Sequence, residues 1–377
     1  MRKETRCVHS GSYIDSNTRG INTPIFTSSV YQYLDTDKNT YPRYFNTPNQ
    51  DVVVKKLCDL EGAEDGVLFS SGMAAITTTI LSILKHGDQI ILQDALYGGT
   101  HAFASDQLER LGIDFTFVRT DADEIDDAIR NNTRLIFIES PTNPLLSIID
   151  IHKVAEIGKK NNITTVIDNT FASPINQNPL ELGIDIVIHS GTKYLGGHSD
   201  ICCGIALTNK TLANQIKARA VHFGGSLNAT TCYLLERSLK TLNLRVERQT
   251  LNAQKIATFF NRHTLIKRVY YPGLDNHPAH DTAKSQMKGF GAMVSFELGG
   301  DALEPGDFLR RLKLIKPALS LGGIESTICS PAVTSHQKMS RTDRERIGIT
   351  DMILRLSVGI EHVDDLVADI DQALSTK

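Results

Sequence analysis

The chain has 377 residues, more than a single hydrophobic core usually serves, so roughly two to three domains are expected. Its composition, 41% hydrophobic and 22% charged with a formal net charge of −3, is that of an ordinary globular protein and lacks the basic excess that marks nucleic-acid binding. The charged start Met1-Arg2-Lys3-Glu4-Thr5-Arg6 is no apolar leader, and no run approaches the roughly 18 apolar residues of a membrane span; the expectation is a cytoplasmic protein with no membrane contact. Residues 1–45 read as an extended arm, and from residue 66 short β-branched runs alternate with helical patterns, the signature of a mostly parallel α/β sheet flanked by helices on both faces. Val67-Leu68-Phe69 predicts a strand, Met73 to Lys85 a helix ending near Gly87, and Gln89 to Leu92 the next strand. A helix over Phe103 to Leu111 leads to strands at Asp114 to Val118 and Leu135 to Ile138. A helix over His152 to Lys160 precedes strands at Thr164 to Ile167 and Ile184 to Ile188. Beyond residue 244 a long helical stretch and mixed elements, among them Met293 to Leu298 and Met352 to Val358, mark a smaller C-terminal α+β domain. The predicted division is 1–45, 46–244 and 245–377.

Ligands of open α/β sheets bind beyond the carboxyl ends of the strands, and there stand Asp168 and the run His189-Ser190-Gly191-Thr192-Lys193-Tyr194. A lysine just after a buried strand can be shielded from water, and desolvation lowers an amine's pKa toward the nucleophilic form that Schiff-base chemistry needs. A solvated loop lysine is the plain alternative. Asp168 could hold a pyridine nitrogen protonated, or it could cap a helix beginning at Asn169-Thr170. Ser70-Ser71-Gly72-Met73 ends a strand and opens a helix, which suits either a phosphate or a simple serine cap. Tyr97-Gly98-Gly99-Thr100 offers a ring that could stack on a flat cofactor or sit in the core near a turn.

Other chemistries fail on spacing. Gly197-His198-Ser199-Asp200-Ile201 lacks the second glycine of a serine-hydrolase elbow, and Gly289-Phe290-Gly291 lacks the third glycine of a dinucleotide fingerprint. The six cysteines form no C-x-x-C pair, H-E-x-x-H is absent, and no metal is expected.

Taken in order, Ser71-Gly72-Met73, Tyr97-Gly98-Gly99-Thr100, Glu139-Ser140-Pro141-Thr142-Asn143-Pro144, Asp168-Asn169-Thr170 and Ser190-Gly191-Thr192-Lys193-Tyr194 resemble the transsulfuration family of pyridoxal-phosphate enzymes. The likeness runs from His9-Ser10-Gly11 to Leu354-Arg355-Leu356-Ser357-Val358-Gly359. It implies fold type I, pyridoxal 5′-phosphate as cofactor, and a homotetramer built from dimers that share active sites. It further implies that Lys193 carries the cofactor as a Schiff base, Asp168 pairs with the pyridine nitrogen, and Tyr97 stacks on the ring and assists acid–base chemistry. Gly72, Met73, Ser190 and Thr192 would grip the phosphate, with Tyr41 and Arg43 reaching that of a neighbouring subunit. Asn143, Ser320 and Arg355 would bind the α-carboxylate of a sulfur amino acid; a surface ion pair is the plain alternative for Arg355.

The family contains cystathionine γ-synthases, cystathionine γ- and β-lyases, methionine γ-lyases and homoserine-ester sulfhydrylases. Gly99 stands where methionine γ-lyases carry cysteine, Thr40 where many cystathionine enzymes carry an acid, and Asn46-Thr47-Pro48 where the family has Asn-Pro-Thr. Ser320-Leu321-Gly322-Gly323-Ile324-Glu325-Ser326 is most similar to the γ-synthase and γ-lyase branch. The expected activity is therefore a carbon–sulfur lyase acting on cystathionine or a related amino acid. The alternatives are γ-synthase, β-lyase, methionine γ-lyase and, from another class, a non-catalytic pyridoxal-phosphate-binding protein.

Overall fold

The computed structural model describes residues 1–299, 303–334 and 341–375. Strands β1 (Asp65–Phe69), β2 (Gln89–Gln93), β3 (Asp114–Val118), β4 (Thr133–Glu139), β5 (Thr164–Asp168), β6 (Ile186–Ser190) and β7 (Gly204–Thr208) form one sheet in the order β1-β7-β6-β5-β4-β2-β3. Neighbours from β6 to β3 pair in parallel, and β7 runs antiparallel to both β6 and β1.

The β-branched runs are explained by burial on two faces. Leu135, Phe137, Val166, Ile186 and Ile188 pack with Ile76 and Ile80 of the helix Gly72–Ile83 and Ile216 of the helix Lys210–Phe223. The intervening Ile136, Ile138, Ile167 and Val187 meet Ile151, Val154 and Ile157 of the helix Ile151–Asn161 on the other face.

A second sheet follows, with β8 (Ile266–Tyr270), β9 (Met293–Leu298), β10 (Lys316–Pro317), β11 (Thr327–Cys329) and β12 (Ile353–Ser357) in the order β10-β11-β12-β9-β8. Its residues Phe296, Leu354 and Leu356 share a core with Val246, Ile256 and Phe260 of the helix Leu242–Phe260 and with Leu366 and Ile370 of the helix Val363–Leu374. Of the expected second domain 245–377, residues 300–302, 335–340 and 376–377 lie outside the described residues.

Several boundaries differ from the sequence reading. The helix expected over 73–85 stops at Ile83, Leu84 turns extended, and Gly87 lies in the following turn with φ 87° rather than at the cap. The helix expected from Phe103 begins at Gly98, a start that the two glycines disguise as a loop. β7 was not anticipated at all. The arm is not extended throughout: Lys3–His9 is a helix whose Cys7 is buried, and Arg6 donates to the Asp59 carbonyl at 2.8 Å. The altered Asn46-Thr47-Pro48 has a local use. The Thr47 N–H donates to Gln50 Oε1 at 3.0 Å, Pro48 opens the helix Pro48–Glu61, and Asn46 Oδ1 accepts from the Tyr41 N–H at 2.9 Å.

Phe137 is fully buried in a central strand. Phe137→Ala is expected to cost about 3–5 kcal/mol, seen as a lowered urea midpoint with little change in the slope of the transition.

Candidate active site

The carboxyl ends of β4, β5 and β6 deliver Glu139, Asp168 and Ser190 to one side of the sheet, with Glu139 directly opposite Asp168 in the strand register. After Ser190 the chain turns tightly, the Lys193 N–H donating to the Ser190 carbonyl at 3.1 Å. The same cavity, of about 440 Å³, is lined by Gly72, Met73, Tyr97, Asn143, Asp168, Ser190, Thr192, Lys193, Ser320 and Arg355. Ten of the twelve predicted site residues thus meet. Tyr41 and Arg43 do not line it: Arg43 is exposed, donates to the Val221 carbonyl at 2.7 Å and lies over the Tyr41 and Tyr44 rings.

At one end of the cavity, Ser71 caps the helix Gly72–Ile83 by accepting from the Ala74 N–H at 3.0 Å. The cap reading and the anion reading are compatible, because the cap leaves other first-turn N–H groups facing outward. A Cβ on Gly72 would lie 2.9 Å from that of Ser190, so only glycine lets the two segments close on one another. Thr192 Oγ1 is engaged with the Cys203 backbone, donating to its carbonyl at 3.2 Å and accepting from its N–H at 3.1 Å.

At the other end Lys193 Nζ donates to Ser320 Oγ at 2.6 Å, and Ser320 holds a left-handed φ of 74°. Arg355 is not a surface strand arginine: it is buried, with Nη1 donating to Asn143 Oδ1 at 2.6 Å and Nη2 reaching the Ser320 carbonyl at 3.5 Å. Its Nε is buried and has no hydrogen-bond partner among the described residues. Arg355 also lines the cavity, a setting in which a guanidinium can meet a carboxylate.

Asp168 does not cap a helix. Its Oδ1 accepts from the Thr170 N–H at 3.0 Å in a local turn, and the next helix, Ser173–Asn176, has Ala172 at its cap. Burial pushes the Asp168 carboxyl up, against the pull of the Thr170 hydrogen bonds and the charges of His189 and Lys193. Burial, then the Asp168 charge, pushes Glu139 well up. The positive charges that oppose these shifts are those of Arg355 for Glu139 and of His189 and Lys193 for Asp168. Lys193 is lowered by burial first and by the Arg355 charge second, the direction that favours a neutral amine.

A model of the Cys/Met metabolism PLP-dependent enzymes matches residues 4–375. The chain belongs to this family. A cystathionine gamma-lyase of Bacillus subtilis is 44% identical over 378 residues, covering 99% of each chain, and a cystathionine beta-lyase of Coxiella burnetii is 44% identical over 98% of this chain and 97% of that one. The solved cystathionine gamma-lyase of Lactobacillus plantarum, in complex with L-serine, superposes with a TM-score of 0.95 at 40% identity, over 99% of this chain and 98% of that one. Pyridoxal phosphate is the cofactor of the family, and the fold is its type I arrangement.

The sequence reading gave Glu139 no role, although a second acid ending a buried strand was the available signal. It also passed over Arg245, whose Nη1 donates to the Tyr194 carbonyl at 2.8 Å and whose Nη2 donates to that of Ser238 at 2.9 Å, anchoring the turn beyond Lys193. Removing the Arg355 charge should raise the Lys193 pKa and so shift toward alkaline pH the midpoint at which the amine becomes neutral. For Arg355→Met, the pH dependence of pyridoxal-phosphate capture by the apoenzyme, followed by visible absorbance, is expected to move upward relative to the unmodified protein.

Proposed function

We propose that this pyridoxal-phosphate-dependent carbon–sulfur lyase acts on cystathionine, cutting the bond at Cγ to give cysteine, 2-oxobutyrate and ammonia with uptake of water. The observation that carries the reading is the convergence of Lys193, Asp168 and Arg355 on one cavity, in a chain 44% identical to a cystathionine gamma-lyase. The cofactor, when bound, supplies a ring that absorbs the charge left at Cα as a proton departs. Lys193 would hold the cofactor, and its Nζ, once displaced by the amine of the substrate, would be free to take the Cα proton, while Asp168 would keep the pyridine nitrogen protonated. Gly72, Met73, Ser190 and Thr192 would hold the phosphate, Ser190 with its hydroxyl and Gly72 by leaving room. Arg355 and Asn143 fix the substrate α-carboxylate, with Ser320 beside them. Cleavage at Cγ requires a second proton to leave Cβ before the sulfur departs, and the Tyr97 hydroxyl is the group that protonates the departing sulfur. The Tyr97 ring would also stack against that of the cofactor.

The space a side chain at position 99 would need is already taken, with Tyr97 Cε1 2.5 Å and the Met73 sulfur 3.0 Å from the place of its Cβ. The lack of the methionine γ-lyase cysteine at Gly99, where these contacts leave no room for one without moving the Tyr97 ring, supports cystathionine over methionine as substrate. Offered cystathionine alone, the holoenzyme should release cysteine and 2-oxobutyrate. Homocysteine with pyruvate would identify cleavage at Cβ instead, and cystathionine formed only from a homoserine ester and cysteine would identify a synthase.

Within this proposal residues 46–244 carry the cofactor, 245–377 bring Ser320 and Arg355, and 1–45 reach a neighbouring subunit in a homotetramer of dimers. The arm exposes Ile21, Val30, Tyr33 and Leu34 at 81%, 83%, 74% and 67%, an apolar surface that a second chain would cover. A cytoplasmic location fits six cysteines that are all free. Lys193→Ala and Arg43→Ala chains, each inactive alone, should recover part of the activity when co-expressed, because one site of each mixed dimer joins an intact lysine to an intact arm. Verified mixed dimers without rescue would remove the shared-site arrangement.

A further inference from the structure

Glu139 spans two walls of the cavity. Its Oε2 accepts from the Tyr97 N–H at 2.8 Å and its Oε1 from the Asn143 N–H at 3.0 Å, so each oxygen serves one loop. The side chain is buried at the end of β4, and the Glu139 N–H donates to Gln93 Oε1 at 3.0 Å, which locks the strand end from below. Tyr97 stands just before the helix Gly98–Phe103 with its ring passing over Gly99. Asn143 in turn accepts from Arg355 Nη1 at 2.6 Å. One carboxylate therefore sets both the entry of the chain into Tyr97 and the backbone that aims the Asn143 amide at Arg355.

A neutral residue is a poor substitute for geometric reasons. A glutamine of the same shape turns one oxygen into an NH₂ group facing a backbone N–H, and a shorter acid cannot reach both loops. Keeping a carboxylate buried opposite Asp168 is costly, which argues against packing as its purpose. We propose that Glu139 is a positioning residue, holding the ring of Tyr97 over the cofactor and, through Asn143, the guanidinium of Arg355 for the substrate carboxylate. The inference rests on the roles proposed above for those three residues.

The holoenzyme tests it with two readouts other than turnover. Visible circular dichroism of the bound cofactor reports the setting of the ring under Tyr97. The dissociation constant of L-alanine, an amino acid with the carboxylate but no leaving group, reports Arg355 through its effect on the visible band. Glu139→Gln is expected to retain cofactor, to alter the dichroism, and to weaken alanine by about tenfold, the size of one misaligned hydrogen bond to a charged group. In an Asn143→Ala background the same change should leave alanine affinity within about twofold while still altering the dichroism. Unchanged dichroism and unchanged affinity in Glu139→Gln would overturn the proposal, as would an equal loss of affinity in both backgrounds. Glu139→Asp, which keeps the charge and loses the reach, is read in the same two assays and decides the matter if the glutamine variant melts too early to titrate. Failure of the underlying reading would look different: the unmodified protein would itself show no visible cofactor band or no response to alanine.

Discussion

Two acids at the ends of neighbouring parallel strands, Glu139 and Asp168, must be kept in a largely buried place at the wall of the cavity, where hydration is scant. Unpaired, each would cost several kcal/mol, and the loops beyond the sheet are arranged to meet that demand. The backbone N–H groups of Tyr97 and Asn143 turn toward one, and that of Thr170 toward the other. The loops that form the cavity walls are thus shaped by the need to satisfy charge at its floor, and they open where the carboxyl ends of the strands converge.

The second sheet closes the site. Polar side chains of the helix Leu242–Phe260 bind the backbone of the segments on either side: Gln249 Nε2 donates to the Gly323 and Val358 carbonyls at 2.7 and 3.1 Å, and Asn252 Nδ2 to those of Gly359 and Glu361 at 3.1 and 2.8 Å. Those segments carry Ser320 and Arg355, so the helix determines where this wall of the cavity stands relative to Lys193. Ser320 stores a left-handed backbone there, a conformation a non-glycine residue adopts only where its surroundings over-determine it.

A further buried pair lies under the lysine turn. His189 Nε2 and Glu61 Oε2 are 2.9 Å apart with almost no exposure, joining β6 to the end of the helix Pro48–Glu61. The helix Lys3–His9 rests against the same region, where the Lys56 Nζ donates to the Cys7 carbonyl at 3.0 Å. The start of the chain is therefore tied to the base of the site even though Tyr41 and Arg43 do not line its cavity.

What the sequence alone determined were the local features. These were the strands whose apolar runs need burial on both faces, the serine-capped helix at Gly72, and the placement of Asp168 at the end of one strand and Lys193 just past the end of another. Recognition of the motif order added the cofactor and the family, which periodicity could not supply. Tertiary structure decided the rest, because side chains far apart in sequence choose their partners only after packing. Arg355 meets Asn143 across 212 positions and Lys193 meets Ser320 across 127, and no local pattern records either contact. The same holds for β7, whose antiparallel place between β1 and β6 is a matter of register, and for Asp168, whose turn with Thr170 rather than a helix cap depends on where the next helix begins. Glu139 was legible as a strand-end acid, but its double use required two loops folded onto its two oxygens, and only long-range packing brings them there.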